Sequence, residues 1–329
     1  MYDVITFGSA AWDVYMEMPP KYIKEDGCPD DGRSFVLNMG LKIDIPEMRF
    51  WLGGGGVNTA TTFSRQGFKT AYCGMVGDDI RGREIAQSLQ RMNIDAGLMS
   101  YTKERTTNNS IVMNARGENR VILVYRGASE LLEHKNIDWS KLNAKLFYLA
   151  PLSGKLCRLT EQIIVHAKKS GAMVAANLGN SQLAMGRACI KGLLARIDIL
   201  ILNKEEAAVM TGVNYADEEK IIKKAINMHP GINVITKGKD GAMIAVDGKI
   251  YEAKLKPFKV TDVTGAGDAF ASGFMSGMLA SNNDIEYSMK LALVNAKHCL
   301  SIRGSDKLLT KEDNYLVDKE NIKIKIRKI

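Results

Sequence analysis

The sequence predicts an α/β fold: a central, mostly parallel sheet with helices on both faces, and a small separate β-sheet outside it. Three observations carry this. Short apolar runs alternate with segments of helical period through the middle of the chain, the order that gives parallel strands joined by crossover helices. Polar or glycine residues recur just after those runs, at the strand ends where open α/β sheets bind ligands. Two other segments, about 14–50 and 104–127, hold short strand-like runs with no long helix between them. With 329 residues and 46% hydrophobic content the chain can bury a large core, and it is expected to be one domain over 1–329 with those two segments as insertions.

Taken in order, Tyr2–Gly8 reads as the first strand. It leads to Asp13, placed to meet a ligand or to cap a turn; the Gly-x-Gly-x-x-Gly of a dinucleotide fold is absent. Val14–Met18, Ser34–Asn38 and Leu41–Ile45 read as short strands. With Asn109–Asn114 and Arg120–Tyr125, a hairpin joined by 115–119, they suggest a small antiparallel sheet. Between these insertions four glycines, Gly53 to Gly56, let the backbone lie close against a ligand and lead into a helix over Val57–Gln66. The lysine-bearing phosphate loop of P-loop kinases is missing.

The main sheet is predicted from Thr70–Val76, Lys145–Leu149, Ala172–Ala176, Ile197–Leu202 and Asn233–Thr236. Ile80–Met92, Lys155–Lys169, Glu205–Met210 and Glu218–Met228 are the intervening helices. Asn177 follows one strand. Asn203 and Glu206 follow the next, either as a helix cap or as a carboxylate that holds Mg²⁺ through water. Thr236-Lys237-Gly238-Lys239-Asp240-Gly241 then turns into a strand over Ala242–Val246.

The most informative stretch is Val260–Phe270. A helix that is apolar or small at nearly every turn begins at Gly265-Ala266-Gly267, whose side chains leave the first amides bare for a phosphate or a developing oxyanion. Asp268 would repel that anion, so its fitting role is to accept a proton from a hydroxyl attacking phosphorus.

Net charge is +8, spread along the chain except for Lys323, Lys325, Arg327 and Lys328 in the tail. This balance suits anionic ligands such as nucleotides, and no basic run is interleaved with aromatics, so nucleic acid is not an expected partner. Cys28, Cys73, Cys157, Cys189 and Cys299 are widely spaced, which points to a reducing cytoplasm rather than to disulfides or zinc. No run approaches the ~20 apolar residues of a bilayer span, and no leader is seen, so no membrane role is expected.

Asp262-x-Thr264-Gly265-Ala266-Gly267-Asp268, together with Gly54-Gly55, Asn58, Ala60, Gly67 and Gly77 at matching intervals, resembles the ribokinase-like carbohydrate kinases of the PfkB family over almost the whole chain. The resemblance implies a ribokinase-like fold whose small sheet is a lid over the sugar and often a dimer surface. It implies ATP with Mg²⁺, and in some members K⁺. On it, Asp268 is the base, and the amides of Gly265, Ala266 and Gly267 form the anion hole. Asp13, Gly54, Gly55, Asn58 and Asn177 would touch the acceptor. Asn203, Thr236, Lys237, Gly238, Gly241, Thr264 and Asn295 would touch ATP, Glu206 would reach Mg²⁺ through water, and Asp262 would join a monovalent-cation site.

The chain departs from the family's common Asp-x-Asn-x-Arg at the Asn177 segment, with Ala175 for the Asp and Asn180 near the Arg position. A nucleoside acceptor therefore stays beside a sugar. A sensor that binds without turnover is the reading of another class, and the intact Gly265–Asp268 run argues against it. Arg105, Asn109, Arg120 and Arg126, on or near the hairpin, either select a phosphorylated or carboxylated sugar or are simply solvated.

Overall fold

The computed structural model describes residues 1–25, 33–114, 120–302 and 308–329. Its main body is a ten-stranded sheet in the order Lys325–Lys328, Lys249–Ala253, Ala242–Val246, Ile232–Thr236, Ile199–Asn203, Met173–Asn177, Ala144–Leu149, Tyr2–Phe7, Thr70–Cys73 and Ile94–Asp95. From Ile232–Thr236 to Ile94–Asp95 every pairing is parallel, and the remaining three pairings are antiparallel.

The alternation of side chains along each strand divides the core in two. Ile5, Phe7, Phe147, Leu149, Val174, Ala176, Leu200 and Leu202 pack on one face with the helices Thr160–Lys169 and Glu218–Met228. Val4, Leu146, Tyr148, Ala175, Ile199 and Ile201 pack on the other with Ala266–Ala280 and Ile285–Ser301. Both faces are covered, which is why the strands read as continuous apolar runs. The chain leaves Tyr2–Phe7 toward Thr70–Cys73 on one side and later returns to Ala144–Leu149 on the other, so a crevice opens beyond the carboxyl ends of these strands.

Above that crevice stands a four-stranded sheet in the order Arg120–Tyr125, Asn108–Asn114, Ala11–Glu17 and Met48–Gly53. It is mixed rather than antiparallel, because Ala11–Glu17 runs parallel to Asn108–Asn114. Leu41–Ile45 forms no strand; the segment is largely exposed and runs into Pro46. Of Ser34–Asn38 only the start is strand, in Arg33–Phe35 paired with Ile23–Glu25. The 115–119 turn and Cys28 lie outside the described residues.

Thr70–Val76 is two strands. Gly74 breaks it, and Met75–Gly77 leaves the main sheet to pair with Ser100–Thr102. The basic tail is not free charge, since Lys325–Lys328 is an edge strand and Arg327 pairs with Glu219 at 2.7 Å and Glu252 at 3.2 Å. Among the described residues no helix is long and apolar enough to cross a membrane, and Cys73, Cys157, Cys189 and Cys299 are free thiols.

Candidate active site

The helix Ala266–Ala280 starts with Gly265 in the left-handed region, at φ 81°, a conformation that spares glycine the steric cost of a side chain. The approach is shaped by Asp262, whose Oδ1 accepts the Thr264 amide at 2.9 Å, and by the Thr261 amide, which donates to the Leu300 carbonyl at 2.7 Å. A Cβ placed on Gly267 would meet nothing within 4 Å, so the first turn faces open space with its amides bare.

Asp268 sits in that first turn, partly buried, and its Oδ2 accepts a hydrogen bond of 2.8 Å from Asn58 Nδ2. Asn58 belongs to the helix Gly55–Arg65, so the two glycine motifs meet at this contact. The glycines before Asn58 are demanded by close packing. A Cβ on Gly53 would lie 2.0 Å from Asp13 Oδ2, one on Gly54 would lie 2.5 Å from the Ser9 carbonyl, and Gly54 has φ 93°. Gly55 is looser: its Cβ would lie 3.4 Å from Asp268 Oδ1. Asp13, 8% exposed on the small-sheet strand Ala11–Glu17, thus packs against Gly53, two residues before the Gly55 that borders Asp268.

Two strands along, Asn203 and Glu206 form a reciprocal cap: the Glu206 amide donates to Asn203 Oδ1 at 2.7 Å, and the Asn203 amide donates to Glu206 Oε2 at 2.8 Å. Burial raises the Glu206 carboxyl above the ordinary carboxylate range against the pull of the Asn203 amide, and the Asp268 carboxylate adds to the rise. The two acids thus share one field. Asn177 Nδ2 donates to the Ile201 carbonyl at 3.0 Å and to Glu206 at 3.5 Å.

No group of three or more His, Cys, Asp or Glu among the described residues could hold a metal ion. A single partly buried carboxylate with one oxygen on its own cap fits an ion that stays hydrated and rides on substrate phosphates, the habit of Mg²⁺.

Thr236 ends its strand beside this cap, and the turn to Gly241 follows. Gly238 has φ 56° with open space around it, whereas a Cβ on Gly241 would lie 2.0 Å from the Ala253 carbonyl, so Gly241 shapes the turn. Lys237 is held by Glu218 at 2.8 Å, and Lys204 approaches the same carboxylate at 3.5 Å. Beside the turn opens a cleft of about 720 Å³ lined by residues including Lys237, Leu255, Lys256, Ile322 and Lys325.

Asn295 is a correction. It is fully buried, its Nδ2 donates to the Ala269 carbonyl at 2.8 Å, and its Oδ1 accepts the Leu309 amide at 2.9 Å. Its amide ties helices together and is closed to a ligand. Sequence reading also missed Glu218, which sets Lys237, and Tyr15, a buried residue of the small sheet in contact with Thr264. A tyrosine two residues after Asp13, on the same face of a strand, was the available signal for the latter.

Residues 34–311 match the pfkB family carbohydrate kinase family. A ribokinase of Haemophilus influenzae is 30% identical over 236 residues, covering 69% of this chain and 74% of its own length. A nucleoside kinase of Methanothermobacter thermautotrophicus is 28% identical over 237 residues, covering 71% and 74%. The fold matches the structure of Arabidopsis thaliana ribokinase complexed with ribose and ATP with a TM-score of 0.78 at 21% identity, over 96% of this chain and 98% of that one. The Burkholderia thailandensis nucleoside kinase in complex with inosine gives 0.76 at 17% identity, over 97% and 98%. The chain belongs to the PfkB family of carbohydrate kinases, ATP-dependent phosphotransferases that act on an alcohol group.

Proposed function

We propose that the chain transfers the γ-phosphoryl group of ATP to a sugar hydroxyl, with Asp268 as the base. The observation that carries this is Asp268 held by Asn58 in the first turn of a helix whose neighbouring Gly267 faces open space. Asn58 donates to one carboxylate oxygen and so fixes the orientation of the carboxylate that would take the proton of the attacking hydroxyl. The amides of Gly265, Ala266 and Gly267 meet the charge spread over the transferring group, worth roughly 3–4 kcal/mol per donor in comparable oxyanion holes. Asp13, Gly54 and Gly55 bring the acceptor up to Asp268. Thr236, Lys237, Gly238 and Thr264 line the approach of ATP, and the cleft beside Lys237 gives its nucleoside end room. Mg²⁺ carried on the triphosphate would supply charge neutralisation, with Glu206 and Asn203 orienting its water shell. Asp262, already shaping the loop through Thr264, is where a monovalent cation such as K⁺ would be sought.

The test is ADP release from Mg·ATP against ribose, fructose, 2-keto-3-deoxygluconate, fructose 6-phosphate, adenosine, inosine and cytidine. Asp268→Asn is expected to keep ATP affinity within a few-fold while kcat falls by ~10²–10⁴. Unchanged turnover in that variant sinks the assignment, and ATP binding with no turnover on any acceptor favours a sensor. A nucleoside acceptor is the second reading, favoured by Ala175 and Asn180 where the family commonly has Asp and Arg around Asn177, and by the similarity to a nucleoside kinase. Turnover confined to adenosine, inosine or cytidine would establish it.

The strand Arg120–Tyr125 supports a homodimer through the lid. It is an edge strand that leaves Leu123 52% and Val124 55% exposed, an arrangement that invites pairing with a second copy. Sedimentation should show a dimer that Leu123→Lys dissociates; a wild-type monomer at all concentrations tested removes the proposal.

A further inference from the structure

We propose that the acceptor is acidic, and that Arg120 on the inner face of the lid binds its carboxylate or phosphate group. This rests on the kinase reading above. Asp13, Tyr15 and Glu17 point to one face of the strand Ala11–Glu17. Glu17 lies opposite Asn114, and Asn114 opposite Arg120, so Arg120 shares the face that carries Asp13 toward Asp268.

Tyr15 fixes where that face points. It is 6% exposed although it stands on a thin outlying sheet, because its hydroxyl reaches across to Thr264 in the loop before the anion hole. Burial pushes that hydroxyl up, Asp262 pushes in the same direction, and Arg120 pulls against both. By register, Arg120 stands on the Tyr15 face one residue pair further along the small sheet.

Arg120 Nε is buried and has no hydrogen-bond partner among the described residues. Nearby arginines are engaged: Arg49 Nε donates to Glu47 at 2.7 Å, Arg105 to Glu130 at 3.4 Å, and Arg126 to Ser153 at 3.4 Å. Asp262 spends Oδ1 on the Thr264 amide, and no ion pair joins it to Arg120 among the described residues. A buried guanidinium N–H left unpaired is costly, and the planar fork matches a carboxylate or phosphate in a way a lone hydroxyl does not. A substrate anion supplies the missing acceptor and the missing charge together.

The experiment compares fructose with fructose 6-phosphate, and ribose with 2-keto-3-deoxygluconate, in wild type, Arg120→Met and Arg120→Lys. One acidic member should exceed its neutral counterpart by about 10-fold or more in kcat/KM. Arg120→Met should then lower that value about 10- to 100-fold, mainly through KM, and leave any neutral acceptor within about threefold, with Arg120→Lys between. Preference for phosphate over carboxylate, or the reverse, names the group. Neutral acceptors used equally well, an equal loss for both classes in Arg120→Met, or no turnover of either acid overturns the proposal. The kinase reading is judged apart from it, by turnover of any neutral sugar or nucleoside that Asp268→Asn abolishes.

Discussion

The two glycine clusters look alike in sequence and do opposite things. Each ends at the start of a helix, Gly55–Arg65 in one case and Ala266–Ala280 in the other. In the first, the room left by missing side chains is filled by the protein itself: by Asp13 against Gly53, by the Ser9 carbonyl against Gly54, and by Tyr72 against Gly56, where an added Cβ would lie 2.7 Å from the ring. In the second, Gly265 is set by its backbone angle, and Gly267 borders empty space. One cluster holds the lid strand and the helix against each other. The other keeps a surface bare. The bond between Asn58 and Asp268 joins them, so the packed half holds the proposed base at the border of the open half.

Substitutions that add one methyl sharpen this contrast. Gly267→Ala should fold normally, with an unchanged Tm, and lose about 10²–10³ in kcat, as expected for spoiling one donor of an anion hole. An equal fall in Tm and kcat would put Gly267 in the packed class. Gly56→Ala should do the reverse, lowering stability by roughly 1–3 kcal/mol through overpacking while the folded fraction keeps most of its kcat. Urea unfolding with activity per folded molecule separates the two, and a stable Gly56→Ala breaks the comparison.

The smallest effect concerns the edge of the open half. Because burial raises Glu206, its carboxylate form is lost at a higher pH than for an ordinary glutamate. A carboxyl raised on folding favours the folded state when protonated, so its ionisation costs stability as pH rises through the folded value. Activity that needs the carboxylate should therefore fall on the acid side above the ordinary carboxylate range. Glu206→Gln, which can still cap Asn203, should flatten that limb in a pH profile of kcat/KM. An unchanged limb would assign it elsewhere.

The parallel sheet was legible because strands buried on both faces must be apolar throughout, and Ile199–Asn203 and Ala144–Leu149 read so directly. The helix start at Gly265–Asp268 was legible because bare amides beside an acid need glycine and aspartate next to each other in sequence. Met48–Gly53, Lys249–Ala253 and Lys325–Lys328 were not, since strands of the small sheet and those at or next to the antiparallel edge of the main sheet carry charge and owe their state to a partner strand rather than to their own composition. Asn295 shows the converse: an amide in a helix reads as a ligand contact until packing shows that the Ala269 carbonyl and the Leu309 amide already use it.

By itself, then, the sequence determined the fold class, the family and the glycine-led helix start that carries Asp268, all of which depend on residues adjacent or periodic along the chain. Only the tertiary structure decided which glycines are filled and which are open, that Asn58 holds Asp268, and that Arg120 shares a sheet face with Asp13 and Tyr15. These depend on contacts between segments far apart in sequence, whose distances no local pattern encodes.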